Sequence, residues 1–267
     1  MKLAVLGDPL RYTLSPVLHE AGLAALGRAC RSLALPTPPD ALAARLAGLE
    51  AQGYRGANLT IPLKEAALTL LPRVSAVAVR ARSVNTVGFE PGGRWGESTD
   101  GAGFLDFLAA EGLVPQRQRV LLIGAGGAAR SVAAALAEAG ARSITAATRD
   151  PARHASAFAA LGLEAPLGLD APGLADAFAQ ATLVIQATPL RETSGPLDPA
   201  RVPRGAVAID IGYGEAPTPW VTALRAGGVR AMDGLGMLVH QARRSIALWT
   251  GEAPPLAALE AAVGWPR

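Results

Sequence analysis

Residues 120–140, VLLIGAGGAARSVAAALAEAG, constrain the fold of this chain more than any other stretch. An apolar run of strand length meets a glycine turn and passes directly into an alanine-rich segment of helical period. Strand, turn and helix therefore follow one another without a linker. Gly124 and Gly126 suit a tight turn and the close approach of a pyrophosphate, whose charge would rest on the helix N-terminus. Ala129 stands at the third position of the fingerprint, where a methyl group is accepted. With another strand-like run at 143–148, the motif predicts a Rossmann-like unit that binds a dinucleotide. The rival reading is a purely structural turn.

The end of that next strand bears on which dinucleotide. An NAD site usually places an acidic residue there for the ribose hydroxyls. This chain has Thr148 and Arg149, with Arg153 and His154 just beyond. Two guanidiniums beside a hydroxyl suit a 2′-phosphate, which arginine grips bidentately. NADP(H) is therefore the expected cofactor. Asp150 leaves NAD as the alternative, and ordinary solvated charges at a helix start are the bland one.

Short apolar runs alternate with amphipathic stretches from end to end, the pattern of an α/β protein. Strands are expected at residues 3–7, 31–36 and 57–62, then as a hairpin, 83–90 with 93–98, around Pro91, Gly92 and Gly93. Ser15 and Pro16 read as the N-cap and first position of a helix. Residues 38–53 form a second helix closed by Gly53, 63–71 a short one, and another starts at Asp100. A polar link, residues 114–119, precedes a fresh series of strands at 120–123, 143–149, 182–187 and 206–211. Two helices follow Gly234, with a break near Pro254 and Pro255. At 267 residues, half of them hydrophobic, the chain can fill two modest cores.

The net charge of +3 is scattered and makes no basic stripe, so nucleic acid is not an expected partner. No apolar run approaches the roughly 20 residues of a membrane span. The start, MKLAVLGDPL, turns polar too early for a secretory signal. The single cysteine, Cys30, reads as a small buried residue and fits a reducing compartment, so a cytoplasmic location is expected. His19, His154 and His240 lie far apart without ligand spacing, and no metal is expected.

Of 25 Lys plus Arg only Lys2 and Lys64 are lysines, and Asn58 and Asn85 are the only asparagines. Arginine cannot stand in where a tunable amine is needed, so these survivors are informative. They fall in four polar segments: residues 12–16, 58–64, 83–86 and 98–103. Asn58, Asn85 and Asp100 each fall at or just past an expected strand end, where open α/β sheets line their ligand crevice. Taken singly they have plainer readings: Ser15 and Asp100 as helix caps, the asparagines as turn residues, Lys64 as a solvated charge.

These segments resemble the shikimate dehydrogenases. TLSP with His19, NLTIPLK, VNT, TDGAGF, GAGGAARS, the TR pair at 148–149, ATP at 187–189, the 210–213 segment and GLGMLVHQ at 234–241 occur in that family's order and spacing. The resemblance spans essentially the whole chain. It implies two α/β domains with the active site in the cleft between them. The substrate domain, with a mixed sheet, would comprise residues 1–100 and 238–267, and the NADP domain 101–237. It implies reversible reduction of 3-dehydroshikimate to shikimate, on the way to aromatic amino acids, by a monomer or homodimer. Lys64 and Asp100 would form the catalytic pair. Thr13 and Ser15 would bind the substrate carboxylate with Tyr213 nearby, and Asn58, Thr60, Asn85 and Gln241 the ring hydroxyls. Gly126, Gly127, Ala128 and Arg149 would line the cofactor, with Thr188, Gly234 and Met237 as further contacts. The family more often has Ser at Thr13 and Asn at Thr148 and Gln186, so shikimate against quinate preference and the adenosine contacts stay open. A quinate or aminoshikimate dehydrogenase is the near alternative, and a non-catalytic NADP-binding regulator the distant one.

Overall fold

The structure is a computed structural model that describes residues 1–10, 12–190 and 193–267. It divides into two compact units, Met1–Phe104 with Gly236–Arg267, and Leu105–Leu235.

The first unit contains β1 (Lys2–Gly7), α1 (Ser15–Ala25), β2 (Arg31–Pro36), α2 (Leu42–Ala51), β3 (Gly56–Leu59), α3 (Leu63–Ala66), β4 (Arg73–Val74), α4 (Ala76–Ala81), β5 (Thr86–Gly88) and β6 (Trp95–Glu97). The helix α5 (Asp100–Ala110) starts in it. Among the described residues its sheet has the order β2-β1-β3-β5-β6-β4. β1 pairs in parallel with β2 and β3, whereas β5 is antiparallel to both β3 and β6, so the sheet is mixed. The run from Leu3 to Leu6 is buried throughout because both faces of β1 are covered. Ala4 and Leu6 join Leu42, Leu46, Leu49, Leu63 and Val87 on one face. Leu3 joins Leu18, Leu23, Ile246, Trp249 and Leu259 on the other. That second face is built by the C-terminal helices α10 (Leu235–Thr250) and α11 (Leu256–Val263), which return to the first sheet.

Two expectations shift here. The third strand stops at Leu59 rather than Pro62, because Leu63 N–H turns back to the Thr60 carbonyl at 2.9 Å. Ser15 does not cap α1: it is already the first helical residue, Leu14 holds the cap position, and Ser15 N–H donates instead to Thr13 Oγ1 at 3.3 Å.

The second unit runs β7 (Arg119–Ile123), α6 (Gly127–Glu138), β8 (Ser143–Thr148), α7 (Pro151–Ala159), β9 (Leu167–Gly168), α8 (Gly173–Gln180), β10 (Leu183–Gln186), β11 (Val207–Asp210), α9 (Pro219–Ala226) and β12 (Arg230–Met232). Among the described residues its strands are all parallel, in the order β12-β11-β10-β7-β8-β9. The order reverses at β7, which makes the carboxyl end of β7 the topological switch point where such sheets take ligands. Leu121, Ile123, Val184, Phe178, Trp220 and Leu224 fill part of its core. The two-residue strands β4 and β9 and the three-residue β12 carry too little pattern to be expected from sequence.

Candidate active site

Pairing directions in the first sheet gather the polar segments. Asn58 lies near the carboxyl end of β3, opposite Thr86 of antiparallel β5. The amino end of β5, with Asn85 just before it, therefore sits at the same edge. Asn85 thus precedes a strand rather than ending one, and antiparallel pairing still delivers it. β6 reverses direction again, which brings Ser98 to Asp100 back to that edge. Lys64 sits on α3, whose backbone is tied there because Val84 N–H donates to the Lys64 carbonyl at 2.8 Å.

Lys64 Nζ donates to Asp100 Oδ2 at 2.5 Å, with the two side chains 13% and 6% exposed. Asp100 opens α5, where a helix N-terminus favours a carboxylate. Its other oxygen, Oδ1, accepts from Asn85 Nδ2 at 2.8 Å. Asn85 is held in that orientation because its Oδ1 accepts the Thr99 backbone N–H at 2.8 Å and the Thr86 hydroxyl at 3.0 Å. Gln241 on α10 accepts from Asn85 Nδ2 at 3.2 Å and donates to the Leu238 carbonyl at 2.8 Å. A Cβ at Gly103 would lie 2.6 Å from Gln241 N, so only glycine lets α5 approach α10 this closely. Both asparagines are buried, and neither is a turn residue. Lys64 is paired and mostly enclosed rather than a solvated charge. Among the described residues it keeps two N–H groups for a ligand, and Gln241 keeps one.

Asn58 is more fully engaged. Its Nδ2 donates to the Asn85 carbonyl at 2.9 Å and reaches Thr86 Oγ1 and Ser245 Oγ at 3.1 and 3.2 Å. Its Oδ1 meets His19 Nε2 at 2.7 Å, and His19 Nδ1 meets Ser32 Oγ at 2.8 Å. Burial holds the His19 imidazole down at about 4, against the opposing pull of the Asn58 bond. Thr86, Thr99 and Ser245 belong to this cluster although sequence reasoning named none of them as site residues. The signal for Ser245 was available: it stands one helical turn after Gln241, on the same face of α10.

Thr13, Ser15 and Thr60 belong to the same unit but lie outside this hydrogen-bonded cluster. Ser15 is buried, and Thr13 and Thr60 are half-buried. Tyr213 lies in the second unit, half-buried in the loop after β11. Asp210 shapes that loop by accepting from Gly212 N–H and the Thr218 hydroxyl, each at 2.8 Å. Cys30 is half-buried rather than fully buried, and burial pushes its thiol up to about 11, which disfavours a nucleophilic thiolate.

The second unit suits a dinucleotide. Gly124 has φ +122°, and a Cβ there would sit 2.7 Å from the Ala187 carbonyl oxygen, so the turn after β7 requires glycine. Gly126 precedes α6 in extended conformation, and among the described residues the space around it is open and no side chain caps the helix. The first-turn N–H groups, including those of Gly127 and Ala128, are thus available to an anion. Arg130, buried behind the turn, donates to the Ala125 carbonyl at 3.0 Å. Thr148 ends β8, and Arg149 and Arg153 are exposed just beyond it. Asp150 Oδ1 caps α7 by accepting Arg153 N–H at 3.1 Å. An acid engaged in capping, beside two exposed guanidiniums, fits a 2′-phosphate better than a ribose diol. Thr188 sits in a loop clamped by the buried Gln186 amide, which accepts from Thr188 N–H at 2.7 Å and donates to the Thr188 and Leu190 carbonyls at 3.2 Å. Gly234 N–H donates to the Gly212 carbonyl at 2.9 Å, and Met237 is buried in the first unit. Among the described residues no group of three or more His, Cys, Asp or Glu is placed to hold a metal ion. No helix there is long and apolar enough to cross a membrane.

Comparison with known proteins agrees with both halves. A model of the shikimate dehydrogenase substrate binding domain matches residues 5–87, and one of the shikimate 5′-dehydrogenase C-terminal domain matches residues 234–263. A model described as NADP oxidoreductase coenzyme F420-dependent matches residues 119–214. The NADP(+) shikimate dehydrogenase of Moorella thermoacetica is 40% identical over 266 residues, covering 96% of this chain and 90% of its own. Shikimate 5-dehydrogenase from Thermus thermophilus, solved with NADP(H) and shikimate, is 37% identical at a TM-score of 0.87, covering 99% of this chain and 98% of that one. Ligand-free 5-ketofructose reductase of a Gluconobacter species is 27% identical at a TM-score of 0.81, covering 99% and 98%. By identity and coverage together, this chain belongs to the shikimate dehydrogenase family.

Proposed function

We propose that this chain catalyses the reversible NADP-dependent reduction of 3-dehydroshikimate to shikimate, with Lys64 as general acid and base and Asp100 as its partner. The observation that carries this reading is the enclosed Lys64–Asp100 pair, set in a satisfied amide network within a chain that also carries a dinucleotide turn. Reduction of a ketone builds negative charge on oxygen, which needs a donor. The bound nicotinamide supplies the hydride. Lys64 stabilises the developing oxyanion through its remaining N–H groups and delivers the proton. Asp100, fixed by Asn85, orients the ammonium. In the oxidation direction Lys64 takes the hydroxyl proton back.

Asn85 and Gln241 orient ring hydroxyls, together with Thr60 and the remaining lone pair of Asn58 Oδ1. Thr13 and Ser15 take the substrate carboxylate, with Tyr213 contributing. Gly124, Gly126, Gly127 and Ala128 receive the pyrophosphate, and Thr148, Arg149 and Arg153 the 2′-phosphate. Thr188, Gly234 and Met237 complete the cofactor contacts. In domain terms, residues 1–100 with 238–267 bind substrate and 101–237 bind NADP. A lone cysteine and use of NADP(H) support a cytoplasmic enzyme, acting as a monomer or homodimer.

The test is spectrophotometric: shikimate oxidation with NADP and with NAD, beside quinate oxidation and NADPH-dependent reduction of 5-ketofructose. Fastest turnover with shikimate and NADP is expected. No absorbance change with shikimate and either cofactor would overturn the proposal.

A further inference from the structure

We propose that His19 is a positioning residue for this site: its Nε2–H fixes the Asn58 carboxamide and, through Thr86 and Asn85, the Asp100 carboxylate that holds Lys64. The inference rests on the catalytic reading of Lys64 and Asp100 given above.

The hydrogen-bond directions at both amides and at the imidazole follow from groups that have no choice. The Asn85 main-chain carbonyl can only accept, so the Asn58 amide nitrogen faces it and Asn58 Oδ1 faces His19. His19 Nε2 must then carry the proton. A neutral imidazole with Nε2–H has a lone pair on Nδ1, which accepts the Ser32 hydroxyl. Further along, the Thr99 main-chain N–H can only donate, so Asn85 Oδ1 faces it and Asn85 Nδ2 faces Asp100. Between the two amides, Asn58 Nδ2 lies 3.1 Å from Thr86 Oγ1, whose single hydrogen has two close acceptors, Asn85 Oδ1 at 3.0 Å and Ser245 Oγ at 2.8 Å, while Ser245 turns its own hydrogen to the Gln241 carbonyl. With the Thr86 hydrogen on Asn85 Oδ1, one continuous donor chain runs from Ser32 through His19, Asn58, Thr86 and Asn85 to Asp100.

His19 is fully buried, with its ring edge-on to Trp249 at 5.2 Å between centroids, so it touches no ligand itself. Its other partners are neutral, and burial keeps the ring neutral as well. An imidazolium would carry protons on both nitrogens and turn the Ser32 contact around. A side chain without a donor at the Nε2 position would leave Asn58 Oδ1 unsatisfied and loosen the Asn58 amide, shifting the Thr86 hydroxyl packed between it and Asn85 while the main-chain anchors keep both amide directions.

Two polar replacements separate positioning from packing. His19→Gln places an amide nitrogen near the Nε2 position, whereas His19→Asn reaches only as far as Nδ1. His19→Gln is expected to keep kcat/KM for shikimate within about threefold. His19→Asn should lose on the order of 10–100-fold, the scale of a misplacement of about 1 Å at reacting groups. Fluorescence titration should give unchanged NADPH affinity in both. Wild-type kcat/KM in His19→Asn, or equal losses in both variants, would overturn the proposal. A readout independent of activity is 15N NMR of labelled histidine at neutral pH. It should report Nε2 protonated and Nδ1 bare for His19; the opposite tautomer sinks the proposal even if turnover is normal. If the wild type oxidises no shikimate but shows this tautomer, the catalytic reading fails while the hydrogen-bond chain stands.

Discussion

His19 gives the protein a defined acid weakness. Its ring is fully buried between Ser32 and Asn58, and burial lowers it from 6.5 to about 4. Among the described residues its partners are Ser32, Asn58 and Trp249, none of which carries a negative charge to welcome a proton. Above pH 6.5 the imidazole is neutral in both folded and unfolded chains, so it contributes no pH dependence. As pH falls below 6.5 the unfolded chain takes up a proton that the folded chain refuses, and stability declines by about 1.4 kcal/mol per pH unit. The loss is complete near pH 4, where the folded protein also protonates, and it sums to about 3 kcal/mol. That is a large part of the stability of a typical domain. Urea unfolding of the wild type and of His19→Gln, followed by tryptophan fluorescence from about pH 7.5 to 4, measures it. The wild type should lose about 3 kcal/mol more than the variant across this window. Parallel curves for the two proteins would refute the reasoning, because all other titrating groups are shared.

Lys64→Ala should lower kcat about 10²–10⁴-fold with a smaller effect on the shikimate KM, and near-normal turnover would remove Lys64 from the chemistry. Arg149→Ala should raise the KM for NADPH far more than that for NADH; equal changes would count against a 2′-phosphate contact. Gly103→Ala puts a methyl group 2.6 Å from the Gln241 backbone, so it should cost about 1–3 kcal/mol in chemical denaturation and raise the shikimate KM. An unperturbed variant would mean that α5 and α10 can separate without loss.

Much of this protein is readable along the chain because its signals are local. The glycine turn at Gly124 and Gly126 names a strand, a helix and a ligand class at once, since a positive φ at Gly124 and a crowded backbone leave few alternatives. Lys64, Asn58 and Asn85 stand out by rarity in an arginine-rich chain, and the family's motif order supplied their company. The Arg149 and Arg153 pair is equally local, one strand end and one helix start. The Ser15-Pro16 signal points one position past the true cap, Leu14, because the Ser15 N–H makes the local bond, to Thr13 Oγ1.

What the tertiary structure alone decided is how those residues are joined. The segment around Asn85 reads as one arm of a hairpin, but nothing in it says that this strand also pairs antiparallel to β3, and that pairing brings Asn85 to the edge shared with Asn58 and Asp100. Ser245 and Gln241 come from the far end of the chain, and His19 and Ser32 from its first helix and second strand. Their hydrogen bonds span up to 187 residues of sequence, so only the closed core brings donor and acceptor together. Composition marked the rare polar side chains; the buried, directional bonds among them exist because each would otherwise sit unsatisfied away from water.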